Sequence, residues 1–378
     1  MKQQRLFWLD VVRGLCAVAV CTGHLRVMLF IDYSELQSAS VINKILYFVT
    51  GIGHQAVMVL FVLSGFFVGG SILKSRANFS WIEYLIARLS RLWIVLIPAL
   101  LFTFLIDQVI QAVAPDILAG AYYSLWNSGP LQDHSYSDSW RTFLGNTFFL
   151  QKILTPIYGT NDPLWSLTNE FWYYILFPLC AYASGNYFNR SKPQLYLRVA
   201  AALAALTIFL WLPAPIRLGY FVWLMGVIIY LIYARMSRIT VPLLLIGTVM
   251  FMASLAYSES FAWQEILNLP KDLVVGVAFS VLCLGLLNLP NPATGKLGLV
   301  KLIRGLSEFS YSLYLSHFPP IILIGALFYD SEQLLPNFLG FAHFALWLAL
   351  LTMVAVLFWW LFEKRTYRVR KFIISHLR

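Results

Sequence analysis

The chain has 378 residues, of which 60% are hydrophobic and 12% charged, and its mean hydropathy is +0.73. A soluble globule of this length could not be covered by this small number of polar side chains. The composition therefore predicts an all-α polytopic membrane protein and excludes an ordinary soluble enzyme. The formal net charge is +10, but no basic stretch is interleaved with aromatic side chains, which argues against a nucleic-acid partner.

Apolar stretches long enough to cross about 30 Å of hydrocarbon as helices follow one another along the whole chain. They lie at 6–31, 45–73, 88–113, 163–184, 195–212, 216–234, 239–257, 272–289, 305–329 and 339–362. The sequence therefore predicts about ten transmembrane helices in one integral-membrane domain over 1–378. A long loop at about 114–162 and a short tail at about 363–378 complete this domain, and no fused soluble domain is expected.

The distribution of Lys and Arg between these stretches predicts the orientation of the chain. If the N-terminus is inside, the opposite loops hold only Lys44, Arg141, Lys152, Arg217 and Lys271. The predicted cytoplasmic charges are Lys2, Arg5, Lys74, Arg76, Arg88, Arg91, Arg190, Lys192, Arg198, Arg235, Arg238, Lys296, Lys301, Arg304 and those of the tail from Lys364 to Arg378. This asymmetry follows the positive-inside rule, so both termini are predicted to be cytoplasmic.

The first predicted span carries three ionisable residues, Asp10, Arg13 and His24. Such groups are costly in hydrocarbon and are functional candidates by default. At about 100° per residue, Arg13 and His24 are separated by about three turns plus 20°, and Asp10 lies within about 40° of the same line. The three side chains should share one face, with Arg13 and His24 about 16 Å apart along the helix axis. Asp10 and Arg13 have the spacing of an i, i+3 ion pair.

A pair of arginines, Arg88-x-x-Arg91, marks the predicted start of the third span, and Lys74 and Arg76 precede it across a short loop. Residues three apart share a helix face, so the two guanidinium groups should project together. Guanidinium groups bind phosphate oxygens well, and the partial positive charge of a helix N-terminus would add to the site. The alternative is an ordinary positive-inside cluster whose long side chains reach the interface.

The fourth predicted span places Ser166 and Glu170 one helical turn apart near its outer end. An ionised carboxylate in an apolar span needs a partner, because it otherwise takes up a proton and becomes neutral. His24 and Arg26, near the outer end of the first span, are the candidate partners of Glu170.

The ninth predicted span is unusually rich in hydroxyl groups. Its polar residues are Ser307, Glu308, Ser310, Tyr311, Ser312, Tyr314, Ser316 and His317. This pattern favours a helix that lines a cavity. Hydrogen bonds between helices are the alternative, which accounts for the serines more easily than for His317.

The loop at 114–162 combines aromatic and acidic side chains, as sugar-binding surfaces do. They are Asp116, Tyr122, Tyr123, Trp126, Asp133, His134, Tyr136, Asp138, Trp140 and Asp162. An interfacial aromatic belt joined to a solvated loop is the alternative. No metal is expected, because Cys16, Cys21, Cys180 and Cys283 lack the spacing of metal ligands.

A series of motifs resembles those of the integral-membrane acyltransferase-3 family, in order, from about residue 6 to residue 366. They are LDVVRG followed by His24, VLFVLSGF, Arg88-x-x-Arg91, PLWSLTNEFWYYILFP, SYSLYLSHFP and Glu363-Lys364. The resemblance implies a bacterial inner-membrane enzyme with ten helices. Such an enzyme moves an acyl group, usually acetyl from cytoplasmic acetyl-CoA, to a carbohydrate hydroxyl on the outer side of the bilayer.

The same resemblance implies which residues take part in the reaction. Arg13, His24, Arg88 and Arg91 match positions that are essential in the family. The serine and glutamate of the fourth-span motif correspond to Ser166 and Glu170, in a sequence Ser-Leu-Thr-Asn-Glu where the family often has Ser-Leu-Ser-x-Glu. Some relatives carry a fused esterase-like domain, which the sequence after residue 366 is too short to provide.

These residues suit an O-acetyltransferase that acts on a surface polysaccharide, lipopolysaccharide O-antigen, capsule or lipid-linked glycan precursor. His24 would take the proton of the attacking hydroxyl, either directly or after being acylated itself, with Glu170 orienting its ring. Arg13, positioned by Asp10, would stabilise the donor, while Arg88, Arg91, Arg76 and Lys74 would bind the phosphates of acetyl-CoA. A proton-coupled transporter is the alternative, although the chain lacks matching pairs of Gly/Pro-broken segments.

Overall fold

The computed structural model describes residues 6–75, 78–126, 128–132, 136–185, 194–235, 240–260, 264, 269–291, 300, 305–329 and 332–377. Several residues named above lie outside the described residues. They are Arg76, Asp133, His134 and the predicted cytoplasmic charges Lys2, Arg5, Arg190, Lys192, Arg238, Lys296, Lys301, Arg304 and Arg378.

The described part of the chain is helical, and the only strand-like contacts in it are isolated bridges at Phe30–Leu334 and Gln151–Thr155. The prediction of an all-α protein is therefore confirmed. In chain order the helices are α1 (Phe7–Leu29), α2 (Val41–Gly51), α3 (Gly53–Ser64), a π-helical segment (Gly65–Gly69), α4 (Gly70–Ser75), α5 (Trp81–Val113), α6 (Pro115–Leu118), α7 (Tyr123–Trp126), α8 (Trp140–Thr147), α9 (Trp165–Ala183), α10 (Leu195–Trp211), α11 (Ala214–Tyr233), α12 (Thr240–Glu259), α13 (Lys271–Leu287), α14 (Ser310–Ser316), α15 (Phe318–Phe328), α16 (Phe338–Leu361) and α17 (Thr366–Leu377).

Within the described ranges, six helical segments are long and apolar enough to cross a bilayer, and the bent pair α14–α15 would make a seventh. The six are Phe7–Leu29, Gly53–Ser75, Trp81–Val113, Ala214–Tyr233, Val241–Glu259 and Phe338–His376. The chain is thus a multi-pass membrane protein, while the count of ten spans stays a prediction. Helices α10 and α13 have 17 residues each and rise about 26 Å, somewhat less than the hydrocarbon thickness.

The predicted second span, 45–73, is interrupted near its start. Helix α2 ends at Gly51, Ile52 is its C-cap, and α3 begins at Gly53. Glycine is a poor helix former because it has the most backbone freedom to lose. Two glycines flanking one residue therefore favour a break here, and the prediction of one continuous span was wrong at this point.

The predicted ninth span is also broken. Helices α14 and α15 meet at His317 with a bend of 45°, and Pro319 and Pro320 occupy the first turn of α15. Proline lacks a backbone N–H and its ring clashes with the preceding turn, so it starts a helix well but does not continue one. The predicted span over 305–329 is therefore bent, and the bend occurs at the histidine of the segment.

The chain divides into two compact units. The first comprises Met1–Arg13, His54–Tyr84 and Asn169–Arg304, and the second comprises Gly14–Gly53, Leu85–Thr168 and Gly305–Arg378.

In the first unit, α3 and the π-helical segment pack very closely against α11. A Cβ atom on Gly65 would lie 1.8 Å from the carbonyl oxygen of Trp223, and one on Gly226 would lie 1.9 Å from that of Val62. Only glycine fits at either position, because no larger residue leaves room for the two backbones. The glycine of the VLFVLSGF motif therefore sets the distance between these helices.

The second unit contains a continuous apolar core in which α1 packs with the bent pair α14–α15. Leu25, Leu29, Leu313 and Phe318 are almost completely buried there. In a bilayer, such helices are held together by close packing and by hydrogen bonds between them, because lipid tails are as apolar as the side chains. This core fixes His24 on α1 relative to His317 at the start of α15.

Candidate functional site

The centre of the candidate site is a pair of histidines in the second unit. The rings of His24 and His317 lie 5.4 Å apart between centroids with an interplanar angle of 34°. Phe318 packs edge-on against His24 at 4.8 Å, and His317 is 0% exposed. The two imidazoles are therefore held side by side in an apolar surrounding.

One hydrogen bond determines the proton position on neutral His317. Its Nδ1 lies 2.9 Å from the carbonyl oxygen of Leu313, and since a carbonyl can only accept, Nδ1 carries the proton. The other nitrogen, Nε2, then has a free lone pair, and it is buried without a hydrogen-bond partner among the described residues. A buried acceptor of this kind is costly unless a ligand or a reacting group satisfies it. His317 is thus poised to accept a proton.

Helix α14 is also held by hydrogen bonds from the hydroxyl groups of its tyrosines. The Tyr314 hydroxyl lies 2.7 Å from Oγ of Ser166, and each of these hydroxyls also lies within hydrogen-bond distance of the carbonyl oxygen of Pro163. Tyr311 donates to the carbonyl oxygen of Leu92 at 3.2 Å. Ser166 is therefore placed beside the helix that leads to His317, where it positions Tyr314.

A carboxylate from the tail binds the same helix. Ser312 donates to Oε2 of Glu363 from both its backbone nitrogen, at 3.1 Å, and its hydroxyl, at 2.6 Å. Hydrogen bonds to a charged group are worth about 1.5–3 kcal/mol each. The tail motif that begins with Glu363 therefore has a structural role in fixing α14.

Asp10 and Arg13 form the ion pair that their spacing predicts. Nη2 of Arg13 lies 3.0 Å from Oδ1 of Asp10, and the two side chains are largely buried. Both residues lie on α1, which is continuous through His24. The carboxylate thus orients the guanidinium group on the helix that also carries His24.

Arg88 and Arg91 lie in the interior of α5, which begins at Trp81. Oγ of Ser80 accepts from the backbone nitrogen of Glu83 at 3.4 Å, in the S-x-x-E arrangement of a helix start. The field of a helix terminus decays within its first turn, so the predicted contribution of a helix N-terminus at this arginine pair was wrong. Arg88 is half-buried and Arg91 is exposed.

Lys74 is exposed on α4 and belongs to the first unit, whereas Arg88 and Arg91 belong to the second. A joint phosphate site of these residues therefore stays a prediction.

Glu170 is held by hydroxyl groups of the first unit. Ser64 donates to its Oε1 at 3.0 Å, and the Tyr174 hydroxyl donates to the same oxygen. The indole nitrogen of Trp223 in turn donates to Oγ of Ser64 at 3.1 Å. The serine of VLFVLSGF thus supports the carboxylate of the fourth-span motif. Pairing of Glu170 with His24 or Arg26 stays a prediction.

Asp107 is a buried carboxylate that the sequence interpretation missed. It is 0% exposed, and it accepts from the backbone nitrogen of Thr160 at 2.9 Å, from the Thr160 hydroxyl at 2.7 Å and from the Tyr136 hydroxyl at 3.4 Å. The sequence does mark Asp107 as a candidate, because it is the lone acidic residue within the apolar run of 88–113. Through these bonds Asp107, which lies on α5, holds the loop that follows α8 against that helix.

That loop, together with Gly129, Pro130, Leu131 and Tyr136, lines a partly open cavity of about 290 Å³ in the second unit. Its polar lining comes from Tyr136, Lys152, Thr155, Thr160 and Asp162. Burial raises the pKa of Asp162, and the positive charge of Lys152 opposes that rise. Burial and the neighbouring carboxyl groups also raise the pKa of Tyr136.

No cluster of three or more His, Cys, Asp or Glu side chains suited to a metal ion occurs in the described ranges of the chain.

Comparison with known proteins identifies the family. Residues 6–364 match the family described as acyltransferase domain. No curated protein and no solved structure shows a significant match to this sequence. Since the match extends over nearly all the motifs and both histidines of the site, the chain belongs to the membrane acyltransferase-3 family.

Proposed function

We propose that this protein is an O-acetyltransferase that moves an acetyl group from cytoplasmic acetyl-CoA to a hydroxyl group of a carbohydrate. The acceptor class is a surface polysaccharide, such as lipopolysaccharide O-antigen or capsule, or its lipid-linked precursor. The observation that supports the proposal best is the pair of half-buried His24 and buried His317, in which Nε2 of His317 has no hydrogen-bond partner among the described residues. A site that must take a proton from an alcohol needs such a base.

The two histidines can account for the proton that the acetyl transfer moves. The acceptor hydroxyl loses its proton to His24 as its oxygen bonds to the thioester carbonyl carbon. The C–S bond then breaks, and the sulfur of CoA leaves as a thiolate that takes up the proton. His317, whose Nδ1 donates to Leu313 and whose Nε2 has no partner among the described residues, is the second group beside His24 that can accept this proton. General acid–base catalysis of this type contributes about 10²–10⁴-fold.

The donor is bound by the cationic residues of the predicted cytoplasmic side. Arg88 and Arg91 project from adjacent turns of α5 and bind the phosphates of CoA as guanidinium–phosphate pairs. Lys74 and Arg76 add positive charge to this phosphate-binding region.

Arg13, oriented by Asp10, stabilises the polar part of the donor. Ser166 and Glu170 complete the catalytic set.

The predicted topology supports a transfer across the membrane. Both termini and the arginine pair are on the cytoplasmic side, and the loop at 114–162 is on the opposite side. This arrangement suits the inner membrane of a bacterium, where acetyl-CoA is available on one face and surface glycans are assembled on the other.

The proposal is tested by the base-labile O-acetyl content of the surface polysaccharide in strains with defined variants. His24→Ala should abolish O-acetylation, and Arg88→Ala should reduce it in a way that added acetyl-CoA partly restores in isolated membranes. His376→Ala, a change at an exposed tail histidine, is the matched control and should retain full activity. Undiminished acetylation with His24→Ala, in membranes that contain the protein, would contradict the mechanism. No response of Arg88→Ala to added donor would contradict the phosphate assignment.

A further inference from the structure

We propose that the loop cavity of the second unit binds one neutral sugar residue of the acceptor and presents it to the histidine pair. The loop cavity is the space lined by Tyr136, Lys152, Thr155, Thr160 and Asp162. The inference rests on the proposed transfer to a carbohydrate and adds the place where the acceptor is bound.

The size of the loop cavity suits a single small ring. Its volume is about 290 Å³, which is at the lower end of the range of about 300–1,000 Å³ found for small-molecule sites. A longer oligosaccharide would have to extend out of the cavity. The cavity therefore holds one sugar unit of the acceptor polysaccharide at a time.

The lining of the loop cavity combines the groups that bind polyols. Asp162 supplies a hydrogen-bond acceptor, Lys152 supplies three donors, and the Thr155 hydroxyl can act as either. Tyr136 adds an aromatic ring. The opposite charges of Asp162 and Lys152 leave little net charge in the cavity, which favours a neutral sugar over an acidic or a basic one.

The wall of the loop cavity is held rigidly before any ligand binds. Tyr136 and Thr160 are both hydrogen-bonded to buried Asp107. Gly159 has φ +58°, and a Cβ atom there would lie 2.2 Å from Oδ2 of Asp107, so only glycine permits this approach. A preorganised wall lowers the entropy cost of binding.

Two short connections join the loop cavity to the histidine pair within the same unit. The segment from Asp162 leads directly to Pro163, whose carbonyl oxygen accepts from the Tyr314 hydroxyl at 3.1 Å, and Tyr314 lies one turn before His317. On the other rim, Gly129 faces the side chain of Ile322 on α15. Helix α15 begins next to His317, so the cavity walls and the base are parts of one packed structure.

The experiment measures acetyl transfer by the purified full-length protein with labelled acetyl-CoA. The acceptor is surface polysaccharide from a strain that lacks this gene, freed of ester groups by mild alkali. The variants are Lys152→Gln and Asp162→Asn. Arg141→Gln is the matched control, since Arg141 lies on α8 within the same region of the chain, is exposed and does not line the cavity.

We expect each cavity variant to raise the KM for polysaccharide about tenfold, because it replaces a charge-assisted hydrogen bond to the sugar by a weaker neutral one, while the KM for acetyl-CoA stays unchanged. Arg141→Gln should match the wild type in both constants. Because Lys152 is exposed, Lys152→Gln should fold even if Asp162→Asn does not.

Wild-type values of the polysaccharide KM in both cavity variants would overturn the acceptor site and leave the proposed function intact. An equal rise in the KM for acetyl-CoA would also overturn it, since the cavity would then belong to the donor. Absence of transfer by the wild-type protein would overturn the proposed function and this inference with it.

Discussion

At the residue scale, His317 differs from an ordinary core histidine in one respect. Both ring nitrogens of a buried imidazole usually have partners, whereas here Nδ1 is bound by Leu313 and Nε2 has no partner in the described part of the chain. The neighbouring ring of His24 lies close enough for both imidazoles to contact one small reacting group. The unsatisfied nitrogen therefore points to a role in proton transfer.

If His317 takes part in proton transfer, His317→Ala should lower kcat for acetyl transfer about 100-fold or more. The affinity for acetyl-CoA should change little, because the proposed phosphate-binding residues, Arg88 and Arg91, lie on α5. Transfer kinetics and donor binding are measured on the same purified samples. His343→Ala is the control, since that histidine of the same unit bonds the Tyr329 hydroxyl at 2.8 Å. Equal kcat values for both variants would show that His317 only fills space.

Asp107 illustrates a different use of a charged residue, the fixing of a loop. Its oxygens accept three hydrogen bonds, from the backbone nitrogen and hydroxyl of Thr160 and from the hydroxyl of Tyr136, and Asp107→Asn replaces one of these oxygens by an amide NH₂ group that cannot accept. We expect a loss of about 2–4 kcal/mol in the free energy of unfolding, measured as a lower midpoint of thermal unfolding in detergent. Asp116→Asn should leave that midpoint unchanged. An unchanged midpoint for Asp107→Asn would contradict the anchoring role.

At the element scale, the bent pair α14–α15 decides the shape of the candidate site. The bend of 45° at His317 interrupts the helix where Pro319 and Pro320 cannot continue the hydrogen-bond ladder. Helix α14 has only seven residues, so its position depends on contacts from other segments. Ser166, Leu92 and Glu363 provide these contacts.

Loss of the tail carboxylate should therefore disturb catalysis at a distance. Glu363→Ala removes both hydrogen bonds from Ser312 and should lower kcat about tenfold or more, with little change in the KM for acetyl-CoA. Glu363→Gln keeps an oxygen that can accept and should restore part of the rate. Arg365→Ala, at an exposed neighbouring position, should behave as the wild type. If Glu363→Gln were as inactive as Glu363→Ala, the charge and not the positioning of α14 would be the requirement.

At the scale of the whole molecule, the number of spans decides on which side the tail lies. Ten spans place both termini on the same face of the membrane, and so would the six straight candidates among the described residues. Counting the bent pair α14–α15 as a seventh span would place the termini on opposite faces. The positive-inside pattern favours the even number.

Labelling of single cysteines tests this topology in cells. In a background without the four native cysteines, Asp116→Cys should react with a membrane-impermeant maleimide in intact cells, and Ser375→Cys only after permeabilisation. Both positions are exposed, so burial does not limit the reaction. Labelling of Ser375→Cys in intact cells would contradict ten spans with a cytoplasmic tail.

Much of the element order could be predicted from the sequence, because an apolar run of sufficient length has few alternatives to a helix in hydrocarbon. The limits of α1, α10 and α16 agree with the predicted spans to within two residues at each end. The beginning of α5 differs from the prediction: the helix begins at Trp81 after its cap at Ser80, whereas the predicted span begins at residue 88. The ion pair of Asp10 with Arg13 was also predictable, because it depends on spacing along one helix.

Composition, local spacing and the order of the motifs were enough to predict a helical, apolar protein of this family and to identify His24, Arg13 and Arg88 as candidates. The contact of His24 with His317, the hydrogen bond from Ser64 to Glu170 and the anchoring of a cavity wall by Asp107 became visible only in the folded structure. These residues are far apart in the chain, and their meeting depends on how the helices pack, which local periodicity does not encode.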